Sequence, residues 1–315
     1  MTPIAVAGGL TFSAVSANAV AGSFCGLAAG SGAAYGWGSN FAGGLGDGTT
    51  TDRVAPVQVV GGGSYRVLAT GGYHSCALTA ANALRCWGNN LKGQLGDGTT
   101  TNQSMPSAVN TTQTFVSVAS GGYHSCGLTD SGSLSCWGYN LYGQLGDGST
   151  TDRSVPTPVS GGLTFSAVYT GWHHSCALTT AGALYCWGWN TSGQLGDGTT
   201  TDRSVPTLIA TGPFASVALG QSHTCARSTT GSTSCWGLNS SGQLGDGTIT
   251  NRLTPTPVIG GLSFVSITVG SNHSCGVTAA GTGYCWGQTS SGATGVDLPP
   301  PVPRPVITSV TFRRP

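Results

Sequence analysis

Short apolar runs alternate along the whole chain with breaks at Gly, Pro and Asp-Gly. Between residues 155 and 203 the runs lie near 158–160, 164–169, 175–179 and 183–188. Runs of this length bounded by turn residues predict strands. Gly and β-branched residues interrupt every window long enough for a 3.6-residue period, so a helical solenoid does not fit. The pattern then returns. Trp-Gly occurs at Trp37, Trp87, Trp137, Trp187, Trp236 and Trp286, spaced 50, 50, 50, 49 and 50 apart. The segment GQLGDGT recurs with small changes from Gly43, Gly93, Gly143, Gly193 and Gly242. Four strands per repeat of about 50 residues is the signature of a β-propeller blade. The prediction is an all-β propeller of four-stranded blades, six in number, with seven as the alternative.

The hairpin between the third and fourth runs fixes a register. With Cys176 opposite Cys186, Ala177 faces Tyr185, Leu178 faces Leu184 and Thr179 faces Ala183. Three residues remain for the loop, whose last position favours a left-handed backbone. That position is Gly132, Gly182, Gly231 and Gly281 in four copies and Asn82 in another. Asn is the next best residue there. The turn chemistry thus supports a register chosen without it.

Cysteine spacing then becomes informative. Of 11 cysteines, ten form pairs ten residues apart: Cys76–Cys86, Cys126–Cys136, Cys176–Cys186, Cys225–Cys235 and Cys275–Cys285. Directly opposed residues on paired strands lie within disulfide reach. Five within-blade disulfides imply an oxidising, extracytoplasmic compartment; reduced core thiols are the alternative. Zinc sites usually bring ligands two to four residues apart, which these pairs do not. No metal or cofactor is expected. Cys25 is left over, because Gly36 stands where the other copies have the second Cys. It is either buried and inert or free for intermolecular pairing.

Composition narrows the function. Charged residues make up 7% of the chain, glutamate is absent and Lys92 is the only lysine. A net charge of +1 supplies no electrostatic footprint for nucleic acid. No run of about 18 apolar residues exists to span a membrane. His74, His124, His174, His223 and His273 recur once per copy, with no carboxylate recurring beside them. A structural role is expected, each ring bonding to backbone between strands. Asp47, Asp97, Asp147, Asp197 and Asp246 stand in Asp-Gly, which suggests Asx-type turns rather than a calcium loop. Asp52, Asp152 and Asp202 follow five residues later, replaced by Asn102 and Asn251 in two copies. The repeated tryptophans are expected to anchor blade packing. No nucleophile elbow, phosphate loop or paired-carboxylate site is present, so the chain reads as a non-enzyme.

The elements HSCALT, YCWG, NxxGQLGDGT and VPxPV resemble the repeats of the regulator of chromosome condensation family, from about Ile4 to Gly292. The paired cysteines look most like bacterial, tubulin-suppressor-like members. The resemblance implies a propeller, usually of seven blades, where this chain has six units and a tail. The family's namesake is a nuclear guanine-nucleotide exchange factor that binds chromatin. A plant ultraviolet receptor of this fold uses clustered GWRHT tryptophans, which only Trp172 in GWHHS approaches here. A secreted member inhibits β-lactamases by covering them with a loop face.

Positions that vary between copies are free to carry function. One variable zone precedes the repeated His: Tyr73, Tyr123, and Trp172 with His173, then Gln221 and Asn272. The other follows Trp-Gly: Asn89, Leu91 and Lys92; Tyr139, Leu141 and Tyr142; Trp189; Leu238. Copies two to four are aromatic, and both zones should recur on one rim. Tyr73, Tyr123, Trp172, His173, Tyr139, Tyr142 and Trp189 are therefore the candidate binding residues, for a protein or a glycan; packing against neighbouring loops is the alternative. Self-association through blade edges or Cys25 would make the chain a subunit of a surface assembly. A polysaccharide lyase or glycosidase is the enzymatic alternative.

The ends are irregular. MTPIAVAGGLTFSAV already matches the repeat, so Met1 opens into the first unit without a charged leader region. A removed signal and an origin inside a longer product both fit. Residues 1–295 form the expected propeller and 296–305 a Pro-rich linker. Residues 306–315 would be a closing strand or the start of a further segment.

Overall fold

The computed structural model describes residues 6, 8–17, 22–61, 63–288 and 302–306. Among these residues the strands form six four-stranded antiparallel sheets, the blades of a propeller. Blade four consists of Phe165–Thr170, His174–Thr179, Leu184–Gly188 and Arg203–Ala210. The first strand of every blade lines a common channel, through Ala17, Thr70, Ser120, Thr170, Leu219 and Val269. No helix among the described residues is long and apolar enough to cross a membrane.

The hairpin register is the one the turn chemistry predicts. Cys176 pairs with Cys186, Ala177 with Tyr185 and Leu178 with Leu184. All five cysteine pairs are disulfides with Cα atoms 4.1 Å apart. Asn82 takes φ +64° at the loop position that Gly fills elsewhere.

The blade boundary falls elsewhere than the repeat suggests. Sequence places 158–160 as the first strand of copy four. The observed strand is Arg153–Pro158, and it pairs with Leu134–Gly138 as the outer edge of blade three. The long loop 139–152 returns the chain antiparallel to the strand it left, whereas the shorter connection 159–164 leads into the next blade. Arg304–Pro305 follows the same rule, pairing with Cys285 and Tyr284 at the outer edge of blade six. Beyond Val306 the expected closing strand, and residues 296–301 of the linker, lie outside the described residues. All six outer strands contain a proline. Such edges are poor templates for pairing with another chain.

The core sits between blades. The Cys126–Cys136 disulfide, Leu128, Leu134 and Leu145 of blade three pack on Phe165, Val168 and Trp187 of blade four. Equivalent clusters join the other successive pairs. Trp137 Nε1 donates to the Gln94 carbonyl of the preceding blade at 3.0 Å, and Trp187 to that of Gln144. The second Gly of GQLG is required here: a Cβ on Gly96 would lie 2.7 Å from Trp137 Nε1.

Histidines complete the seam between blades, by a bond other than the one expected. His124 Nε2 lies 2.8 Å from Ser175 Oγ of the next blade, not on backbone. The Ser175 hydroxyl itself donates to the Gln144 carbonyl, so it accepts from a neutral imidazole protonated at Nε2. His74–Ser125, His174–Thr224 and His223–Ser274 repeat the link. The role is structural. Burial pushes His74, His174 and His223 down to about 3.

The Asp-Gly loops are closed turns. Asn140 Nδ2 donates to Asp147 and to the Ser149 and Thr151 carbonyls, while Arg153 pairs with Asp147 at 2.9 Å. Burial opposes ionisation of Asp147, but hydrogen bonds from Ser149, Arg153 and Asn140 outweigh it and lower its pKa. The alternation of Asp and Asn five residues on is also explained. Asp152 and Asn102 each use Oδ1 to accept a backbone N–H, from Asn140 and Asn90 respectively. Either side chain serves that purpose.

Candidate functional site

The two variable zones meet because three antiparallel strands bring them to one end of each blade. The first zone is the turn between first and second strands; the second begins where the third strand ends. Backbone bonds join them: Asn89, Tyr139 and Trp189 N–H donate to the Tyr73, Tyr123 and His173 carbonyls, each at 2.9 Å.

All seven candidate side chains fall into one continuous network. Tyr73 and Tyr123 have ring centroids 5.4 Å apart, and Trp172 stands edge-on to both. His173 is the hub, stacked on Tyr123 at 6.0 Å and within 6.0 Å of Tyr139, Tyr142, Trp172 and Trp189. Tyr142 carries the chain on to Trp189 at 5.9 Å. Most contacts are edge-to-face or tilted, the geometry aromatic quadrupoles favour. Trp172 replaces the second glycine of the GGY turn and lies across its neighbours. A Cβ on Gly72 or Gly122 would come within 2.7 Å of the indole. Two successive glycines thus make room for one tryptophan at the channel mouth.

Burial holds His173 down at about 4, so the imidazole is neutral at pH 7. Burial, reinforced by neighbouring phenols, raises Tyr123 and Tyr139. Formal charge at the rim is sparse. Lys92 Nζ lies 5.1 Å from the Tyr139 centroid and 3.4 Å from Asp152 Oδ2.

One residue of the rim escaped sequence reasoning. Phe41 is 63% exposed and touches Tyr73 at 5.7 Å. It occupies the place that Leu91 and Leu141 hold in blades two and three, where they are 66% and 56% exposed. The signal was available: each follows the Asn of the WGxN segment. Cys25, by contrast, is a buried thiol raised to about 12, which removes it as an intermolecular link.

A model of the RCC1-like domain matches residues 68–313, and one of the regulator of chromosome condensation (RCC1) repeat matches 31–78. The chain belongs to the RCC1-like family. Solved structures agree on the fold of this RCC1-like chain. Yeast RCC1 (Prp20), crystallised with Kap60, is 23% identical with a TM-score of 0.82, covering 94% of this chain and 75% of its own. Human WBSCR16 is 22% identical with a TM-score of 0.84, covering 98% and 84%. The ectodomain of the Physcomitrella patens receptor kinase CR4 is 24% identical with a TM-score of 0.59, covering 88% and 62%. No curated protein matches the chain.

Proposed function

We propose that this RCC1-like chain is a non-enzymatic binding propeller of an oxidising compartment, and that its aromatic rim contacts a protein partner. The observation that carries this is the joining of seven rings into one network, flanked by exposed Phe41, Leu91 and Leu141. Tyr and Trp anchors beside exposed aliphatic residues suit a protein interface. A sugar platform is the weaker reading, because Trp172 stands edge-on to both Tyr73 and Tyr123 and crowds the part of the rim where a sugar ring would stack. Yeast RCC1 crystallised with Kap60 is a protein-binding precedent on this fold. Five disulfides support an oxidising compartment, and the CR4 ectodomain is a precedent for it.

Affinity capture from the extracytoplasmic fraction tests the rim. A chain carrying Tyr139→Ala, Tyr142→Ala and Trp189→Ala should lose the partner that the parent chain retains. Undiminished capture rejects the face. Intact mass tests the compartment: protein purified without reductant should be ten hydrogens lighter than reduced protein, two for each of five disulfides. Full-mass thiol protein rejects it.

A further inference from the structure

The repeat itself contains a cation site filled from within the chain, and a second copy of it in which a tyrosine replaces the cation. In blade three, the Lys92 ammonium stands over the Tyr139 ring and beside the Asp152 carboxylate. Asp152 is fixed there by the Asn140 N–H, which donates to its Oδ1 at 2.8 Å. Ring and carboxylate together make a favourable seat for an alkylammonium, combining cation–π attraction with an ion pair. One repeat further on, every component has a counterpart 50 residues later. Trp189 replaces Tyr139, and Trp is the stronger cation–π face. Asp202 replaces Asp152 and accepts the Asn190 N–H at 2.7 Å in the same way. Only the cation has changed: Tyr142 stands where Lys92 would be, with its ring 5.9 Å from that of Trp189.

Among the described residues, no basic side chain pairs with Asp202. Burial raises its carboxyl, the Asn190 hydrogen bond acting in the opposite sense. The other copies do not offer the combination. Blade two has Asn89 and Asn102, and blade five has Leu238 and Asn251, with neither ring nor carboxylate. Blade one has Asp52 but Ser39 in place of the ring.

We propose that Trp189, Tyr142 and Asp202 form a binding site for an alkylammonium group, supplied by a lysine side chain of the partner. The site deepens the reading of the rim as a contact face and rests on it. Lys92, reaching from blade two onto the ring and carboxylate of blade three, is the internal precedent for how the ligand sits. The partner's lysine would run across Tyr142, lay its ammonium on the Trp189 face and meet Asp202. The one lysine of this chain thus marks, by its place in the repeat, the chemistry its partner must provide.

The test needs no partner. n-Butylammonium, a lysine side-chain mimic, is titrated at constant ionic strength while the Trp189 indole N–H resonance is followed. Trp189→Phe assigns the signal, and butan-1-ol is the neutral control. The expected result is a saturable shift with the cation that the alcohol does not reproduce. Asp202→Asn should weaken binding about tenfold. That variant keeps the loop, because Asn102 and Asn251 already make the same backbone bond in blades two and five. Tyr142→Lys should abolish binding by installing the internal ammonium found in blade three. A shift that fails to saturate, an equal response to the alcohol, or unchanged binding in both variants overturns the proposal. Failure here leaves partner capture by the rim separately measurable, and loss of capture leaves the titration intact.

Discussion

Blade one and blade three share a loop but not a seam. In both, Asn holds the Asp-Gly turn and Arg pairs with its Asp: Asn40, Asp47 and Arg53 in one, Asn140, Asp147 and Arg153 in the other. The contacts between blades differ. Blade three has His124, Ser125, a disulfide and a fully buried Trp137. Blade one has Ser23, Phe24 and Gly36 at the corresponding places, and Trp37 is only partly buried. The His–hydroxyl link therefore runs from blade two to blade six without engaging blade one. Two modules emerge from one repeat. The loop closes on itself and is kept in blade one without the rest, whereas the seam needs matching residues on two blades.

This contrast is open to attack, beginning with its largest consequence. Trp137→Ala should cost about 3–5 kcal/mol in chemical denaturation, since it removes a buried indole and a hydrogen bond across the seam. Trp37→Ala should cost less than half as much; equal costs would erase the distinction. Removing one disulfide by Cys126→Ser with Cys136→Ser should cost about 3 kcal/mol on the chain-entropy model for so short a loop. Blade one, already without its disulfide, is the internal case that such a loss is survivable.

Acid should strike the seam next. His74, His174 and His223 are neutral when folded and titrate near 3, against about 6.5 unfolded. The unfolded chain binds more protons between those values, so stability is intact above about 6.5 and falls as pH drops. Each buried His contributes a slope of about 1.4 kcal/mol per pH unit in that window. His174→Gln should flatten the slope by one such share in denaturation run across pH. Blade one has Ser23 at this place and contributes nothing. An unchanged slope would mean the imidazoles are not held neutral. The smallest effect belongs to Cys25. Its buried, raised thiol should take no iodoacetamide in native protein and a single label after unfolding under non-reducing conditions, read by mass. Labelling of the native chain would place blade one outside the packed core.

Much of the fold was legible because a repeat states its constraints several times over. Gly132 and Asn82 identify the hairpin loop, and Cys126 with Cys136 confirms its register. The blade boundary was not legible. Nothing near Pro156 says whether its strand pairs backward or forward; only the return of loop 139–152 decides it. At the candidate site, copy-to-copy variation picked out Tyr139, Tyr142 and Trp189. It missed Phe41, whose exposure depends on where its loop stands.

The sequence by itself determined the repeat, the strand count per unit, the cysteine pairs and the copies that depart from their neighbours. Those follow from local chemistry: turn residues, alternation and spacing act within one blade. Tertiary structure alone decided which blade owns each outer strand, where the histidines bond and how seven rings drawn from three successive blades become one surface. The histidine bonds and the ring surface depend on groups about 50 residues or more apart meeting across a seam, and the outer strands on which way loop 139–152 and its counterparts return; no short stretch of chain encodes either.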